Sequence, residues 1–279
     1  MCSGFFSQTV GPLSRFSAVP SSTLRPSSRR ARHPGGFTLI ELLTVIAIIG
    51  ILAAIFIPTI GSALDKAKRA VDATNIREIV KAASLYAQDN QDRLPDPFTL
   101  PAATLNATPR ALLWPGVIAR NGILTDPKVY FSKLDPFYPA TLPIAIINST
   151  LANTAVKNSL DPTFTAAGVT PSYEFVGGLK TSDPATTPVA YTRGLQAAGT
   201  WSPTSGTYRA VGGYIGFLSG NIEFFADTTN PAVFTSNNSG RRVADIRQGI
   251  PTTARLYGIA PTGTTILGTA TGALATRGP

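Results

Sequence analysis

The ionisable side chains of this sequence leave few chemistries open. Cys2, His33 and Met1 are the only residues of their kinds among 279, and all three precede Phe37. The rest of the chain therefore has no thiolate and no imidazole. That excludes cysteine and serine–histidine nucleophiles, histidine general bases, and zinc or copper sites built on those ligands. Disulfides are excluded with them. What remains is carboxylate chemistry, and three groups of acids could carry it. Glu174, Glu223 and Asp227 are candidates for hydrolysis by paired carboxylates, although no spacing selects two of them. Asp89, Asp92 and Asp96, in DNQDRLPDP, are candidates for an all-oxygen cation loop, without the glycine and terminal glutamate of an EF-hand. The third is Glu41, the only ionisable side chain from Phe37 to Ile60 in FTLIELLTVIAIIGILAAIFIPTI. No cofactor and no metal site are expected.

The element that must position Glu41 is an apolar helix. A run of about 24 residues rises roughly 36 Å, and a bilayer core needs about 20 residues. Arg25, Arg29, Arg30 and Arg32 crowd its N-terminal side, whereas Lys66, Lys68 and Arg69 on the other side are offset by Asp65 and Asp72. This bias places the N-terminus in the cytoplasm and the bulk of the chain outside. A carboxylate in such a span costs several kcal/mol unless it is paired, and the span contains no Lys or Arg. A secretory signal cut at Gly61-Ser62-Ala63 would have a shorter apolar core and no acid. A twin-arginine signal at Arg29-Arg30 would have an apolar pair where Ala31-Arg32-His33-Pro34 stands. A plain anchor accounts for the length and the charges but not for Glu41. Cutting the chain just before Phe37 would create an ammonium inside the apolar zone, and a neighbouring molecule staggered along the helix axis could present it to the acid.

Gly36-Phe37-Thr38-Leu39-Ile40-Glu41, followed by the apolar run, resembles the processing site of type IV pilins and type II secretion pseudopilins. The resemblance implies a leader over residues 1–36, cleavage between Gly36 and Phe37 by prepilin peptidase, and N-methylation of Phe37. It also implies pairing of Glu41 with the N-terminal amine of an adjacent subunit. Gly50 and Pro58 fall where family members have a glycine and a proline, between which the helix loosens in filaments. Glycine and proline weaken a helix by about 1 and 3 kcal/mol relative to alanine. By themselves, Gly50 reads equally as a close helix contact and Pro58 as a kink at the membrane exit.

Beyond Ile60 the helical signal continues to about Gln88. Ile76, Val80, Ala83 and Tyr86 recur at three or four residues, with Lys66, Arg69, Arg77, Glu78 and Lys81 on other faces. Residues 37–60 thus form a transmembrane or filament-core helix, residues 61–94 its amphipathic continuation, and residues 95–279 a head. Pro95 and Pro97 lie just past the helix, and YAQDNQDRLP resembles the helix-to-head transition of major pseudopilins. The head is rich in Pro, Thr, Ala and Gly, with short apolar pieces at Lys128–Phe131, Pro143–Ile147 and Tyr173–Val176, which predicts a loop-rich β structure. Its clearest signal is a hairpin of Tyr214–Leu218 and Asn221–Phe225 around a two-residue turn, Ser219-Gly220. The tail from Pro261 is a loose end or an edge strand, and Trp114 and Trp201 are core or loop anchors.

The expected fold class is α+β and pilin-like, a long N-terminal helix packed on a loop-rich antiparallel β head. The expected protein is a non-enzymatic subunit of a type II secretion pseudopilus or type IV pilus-like filament, single-pass in the inner membrane with its head in the periplasm. The implied partners are copies of itself or related subunits, the peptidase, an inner-membrane assembly platform, and lipid before assembly. Net charge does not point to nucleic acid, because five arginines before Phe37 account for more than half of the +9 excess. The alternative is a membrane-anchored module whose head captures a glycan, DNA or a secreted substrate.

Overall fold

A computed structural model describes residues 36–99, 110–148, 159–236, 239–259, 265–269 and 275–277. Helix α1 runs over Leu39–Asp89 and α2 over Arg110–Arg120. Nine strands follow among the described residues: β1 Tyr173–Gly177, β2 Pro188–Thr192, β3 Gly213–Phe217, β4 Ile222–Phe225, β5 Phe234–Thr235, β6 Arg242–Val243, β7 Arg255–Ile259, β8 Thr265–Thr269 and β9 Ala275–Arg277. They form a seven-stranded antiparallel sheet in the order β4-β3-β2-β1-β7-β8-β9 and a ribbon of β5 with β6. The chain divides into two units, with the boundary inside α1 between Ala54 and Ile55.

The unit from Ile55 onward is built around the stripe on α1. Ile76, Ile79, Val80, Ala82, Ala83 and Ala87 are buried, whereas Tyr86 is only half-buried. These residues lie against one face of the sheet, where Ile222, Gly216, Ala190, Phe175 and Tyr257 align across five strands. A Cβ at Gly216 would stand 2.7 Å from Ile76 Cγ2 and 2.8 Å from Val80 Cγ2, so helix and sheet approach through that glycine. Helix α2 covers the same face, with Trp114 stacked on Phe175 at 4.5 Å between ring centroids. All five positions of β1 and of β2 are buried, which means the sheet is covered on its other face as well. Loops carrying Leu195, Trp201 and Ile246 supply further buried residues.

Helix α1 ends before the prolines. Gln91 and Asp92 adopt left-handed backbone (φ 58° and 60°), and the Asp92 N–H returns to the Ala87 carbonyl at 2.9 Å. Leu94 then donates to the Leu179 carbonyl, joining the helix exit to the end of β1.

Several expectations for the head change. Helix α2 lies in a segment read as loop and strand, and it tolerates Pro115 in its interior. Of the three apolar pieces, only Tyr173–Val176 is a strand. Lys128–Phe131 falls on a 3-10 turn that Asp126 caps, its carboxylate accepting from Lys128 N at 2.9 Å, and Pro143–Ile147 is irregular. The hairpin turn has three residues, not two: Gly220 N–H donates to the Phe217 carbonyl, Phe217 N–H donates to the Asn221 carbonyl, and Gly220 has φ +83°. That is a tight turn closed by a left-handed residue, which glycine adopts without steric cost. Trp114 and Trp201 are both buried. In the tail, residues 265–269 and 275–277 form β8 and the edge strand β9.

Steric limits in the sheet give a direct prediction. A Cβ at Gly213 would lie 2.1 Å from Thr192 Oγ1 and 2.4 Å from the Trp201 ring, both of which are buried. Gly213→Ala should therefore destabilise the head by roughly 1–3 kcal/mol through overpacking. Gly61→Ala, on the helix with open space at its Cβ, should not lower the melting midpoint. Thermal melts of the two variants in detergent check the contrast.

Candidate functional site

The N-terminal site is assembled by one turn of helix. Gly36, Phe37 and Thr38 precede α1, and Thr38 is its N-cap: its carbonyl accepts the first helical bond from Leu42 N at 3.2 Å. The Thr38 N–H and hydroxyl both donate to Glu41 Oε2, at 2.9 and 2.8 Å, while Glu41 N–H donates back to Thr38 Oγ1 at 3.3 Å. This is a capping box, in which the N-cap and N3 side chains satisfy backbone donors that the helix leaves open. The acid also lies at the positive end of the helix dipole. Glu41 thus has local partners that the sequence reading did not supply, and the signal was present as Thr38-x-x-Glu41 ahead of an apolar run.

The residues around the expected cut are uncovered. Phe37 is 75% exposed, and no atom lies within 4 Å of a Cβ built on Gly36. Among the described residues, no packing requires glycine at position 36. The same holds for Gly50, which sits inside α1 with open space at its Cβ. Position 58 is also helical, and a proline there has no N–H for the Ala54 carbonyl. The hydroxyls of Thr44 and Thr59 donate to carbonyls one turn back, at 3.0 and 2.8 Å, which removes their hydrogen-bonding needs from an apolar surface. The helix is long and apolar enough to cross a membrane, and among the described residues none in its most apolar stretch of 18 is buried.

The other candidate acids do not converge. Glu174 lines a cavity on the sheet face away from α1, whereas Glu223 and Asp227 border a separate groove at the β4 edge. Asp227 holds a turn by accepting from Thr229 Oγ1 and from the backbone N–H groups of Thr229 and Asn230, which keeps its carboxyl below the usual range. Asp96 accepts from the Tyr257 hydroxyl at 2.5 Å and from Arg255 at 3.3 Å. Among the described residues, no three His, Cys, Asp or Glu side chains are grouped to hold a metal ion.

One acid escaped the sequence reading as more than a flanking charge. Asp72 on α1 is 2% exposed and accepts from Ser132 Oγ (2.6 Å), the Tyr208 hydroxyl (2.6 Å) and the Tyr173 hydroxyl (3.0 Å). Burial raises its carboxyl above the usual range, against the pull of the three hydroxyls. It ties α1 to β1 and to two loops of the head. Its signal was positional, since Asp72 stands four residues before Ile76 on the buried stripe.

Comparison with known proteins bears on the N-terminal site. Residues 32–57 match the prokaryotic N-terminal methylation motif. The type IV wide pilus major component PilA4 of Thermus thermophilus is 41% identical over 78 residues, 28% of this chain and 60% of that protein. The type II secretion system core protein G of Pseudomonas aeruginosa is 44% identical over 59 residues, 21% of this chain and 42% of that protein. The chain thus spans about half the length of these curated relatives. No solved structure matches. In its N-terminal segment the chain is thus similar to type IV pilins and type II secretion pseudopilins, and it carries the N-terminal methylation motif. Its α+β architecture, a long apolar N-terminal helix followed by an antiparallel sheet, is of that kind.

Proposed function

We propose that the chain is a structural subunit of a type II secretion pseudopilus or type IV pilus-like filament, not an enzyme. Prepilin peptidase cuts between Gly36 and Phe37 and methylates the new terminus. Glu41 then exchanges its Thr38 partners for the amine of an adjacent subunit, and the subunits polymerise through their N-terminal helices. Before assembly the apolar helix lies in the inner membrane, with the N-terminus cytoplasmic and the head periplasmic, and an assembly platform draws subunits from that pool. Gly50 and Pro58 supply a soft stretch for helix packing in the filament. The observation that carries this reading is the methylation motif running directly into a capped helix whose apolar side chains are not buried among the described residues. Apolar packing supplies most of the cohesion, while the Glu41–amine pair sets register, as buried polar groups do in other helical assemblies.

The test is intact-mass and N-terminal analysis of protein extracted from membranes. The expected mature chain begins at Phe37 and carries one methyl group on its amine. A chain starting at Met1, or at Leu64 after a signal-peptidase cut, would sink the proposal.

A further inference from the structure

The sheet face away from α1 holds a cavity of about 300 Å³ lined by residues of the head. Its size suits a small-ligand site. Glu174 of β1 forms part of the floor, next to its cross-strand neighbour Tyr191 on β2. On the β7 side the chain leaves room for the carboxyl through Gly258: a Cβ there would stand 2.8 Å from Glu174 Cγ and 2.9 Å from Oε1. The cavity wall includes the loop from Gly194 to Ser205 and the turn at Ile246, with exposed Gln196 and half-buried Ser205 nearer solvent.

Glu174 is 4% exposed. Burial pushes its carboxyl up to about 7, although the Tyr191 hydroxyl, the Arg193 charge and the Gly194 N–H all favour the ionised form. Both arginines bordering the cavity are committed elsewhere. Arg193 donates from Nη2 to Asp135 at 2.7 Å, from Nη1 to the Pro171 carbonyl at 2.7 Å and from Nε to the Ser205 carbonyl at 3.0 Å. Arg247 grips both carboxylate oxygens of Asp245. No ion pair joins Glu174 to either of them. A carboxylate can accept about four hydrogen bonds, so this one retains acceptor capacity at the wall of a solvent-connected space.

We propose that the cavity binds the ammonium group of a small primary amine, with Glu174 as its counter-ion. An ammonium is compact and has three donors, enough for the carboxylate and for a serine hydroxyl at Ser202 or Ser205. An alcohol of the same shape would leave the buried charge unneutralised, and an anion would meet Glu174 directly. This reading does not depend on the filament role.

The test titrates the full chain in non-ionic detergent with n-butylamine, and with n-butanol as the uncharged isostere, by calorimetry. Butylamine should bind at pH 8 and butanol should not. Affinity should fall about tenfold from pH 8 to pH 6, following the ionised fraction of a group that titrates near 7. At pH 6 binding should release a proton, seen as an enthalpy that varies with the ionisation heat of the buffer. Glu174→Gln should weaken butylamine binding at least tenfold. Ala197→Phe, which narrows the cavity and leaves the carboxylate in place, should abolish binding at an unchanged melting midpoint, and it decides the matter if Glu174→Gln fails to fold. Equal binding of butanol and butylamine, no binding of butylamine at pH 8, a pH-independent affinity, or undiminished binding in a folded variant would overturn the proposal.

Discussion

A chain in which Glu41 is replaced by alanine should still be cut after Gly36 and methylated at Phe37, yet be depleted from sheared filaments by at least about a hundredfold. The magnitude follows from the proposed pair. Removing one partner of an ion pair in an apolar setting leaves the other charge uncompensated, at about 3–5 kcal/mol, and each 1.4 kcal/mol is a factor of ten. Alanine also removes the capping box that Glu41 forms with Thr38, so it confounds two losses. Glu41→Gln separates them. Glutamine serves at the third helical position of a capping box, and it cannot neutralise an ammonium. Filament loss in the glutamine variant as deep as in the alanine variant assigns the effect to charge. Normal assembly of Glu41→Gln would assign it to helix capping and refute the pairing. Thr38→Val, which keeps the acid and removes the side-chain cap, should cost only about 1 kcal/mol of local helix stability. The readout is an immunoblot of filament and membrane fractions.

The N-terminal methylation motif was legible because its constraints are local. An acid alone in an apolar run is an anomaly that one window of sequence exposes, and Gly36, Phe37 and Glu41 lie within a few residues of one another. The same locality makes the capping box readable in principle, since Thr38 stands three residues before Glu41. The head is different, since its order comes from pairings far apart in the chain. β1 joins β7 through Phe175 and Tyr257, and a strand buried on both faces shows no alternation to read. Helix α2 was hidden by Pro115, which reads as a breaker unless packing such as that of Trp114 on Phe175 outweighs the lost bond. Lys128–Phe131 has strand-like composition, but Asp126 and Pro127 start a turn there instead. Glu174 was singled out by type alone. Only the fold shows that it lies apart from Glu223 and Asp227 and beside a cavity.

The second large effect concerns pH. Glu174 has an ordinary value of 4.5 in an unfolded chain and about 7 in the fold, with burial as the leading cause. Between those values the unfolded chain gives up the proton and the folded chain keeps it. Stability therefore falls as pH rises from about 4.5 to 7 and levels off above 7, with a total loss of roughly 3 kcal/mol from this group. Asp72, also raised by burial, acts in the same direction. Asp227, lowered by its turn hydrogen bonds, acts in the opposite direction, but only where pH falls below the ordinary aspartate range. The full chain in detergent should accordingly melt at a higher temperature at pH 5 than at pH 8. Glu174→Gln should flatten most of that slope, because an amide has no charged form to bury. A slope unchanged by the substitution would place the titrating group elsewhere and mean that Glu174 binds protons alike in the folded and the unfolded chain. An amine that pairs with Glu174 should raise the midpoint at pH 8 and leave it almost unmoved at pH 5, because only the ionised acid has a charge to neutralise.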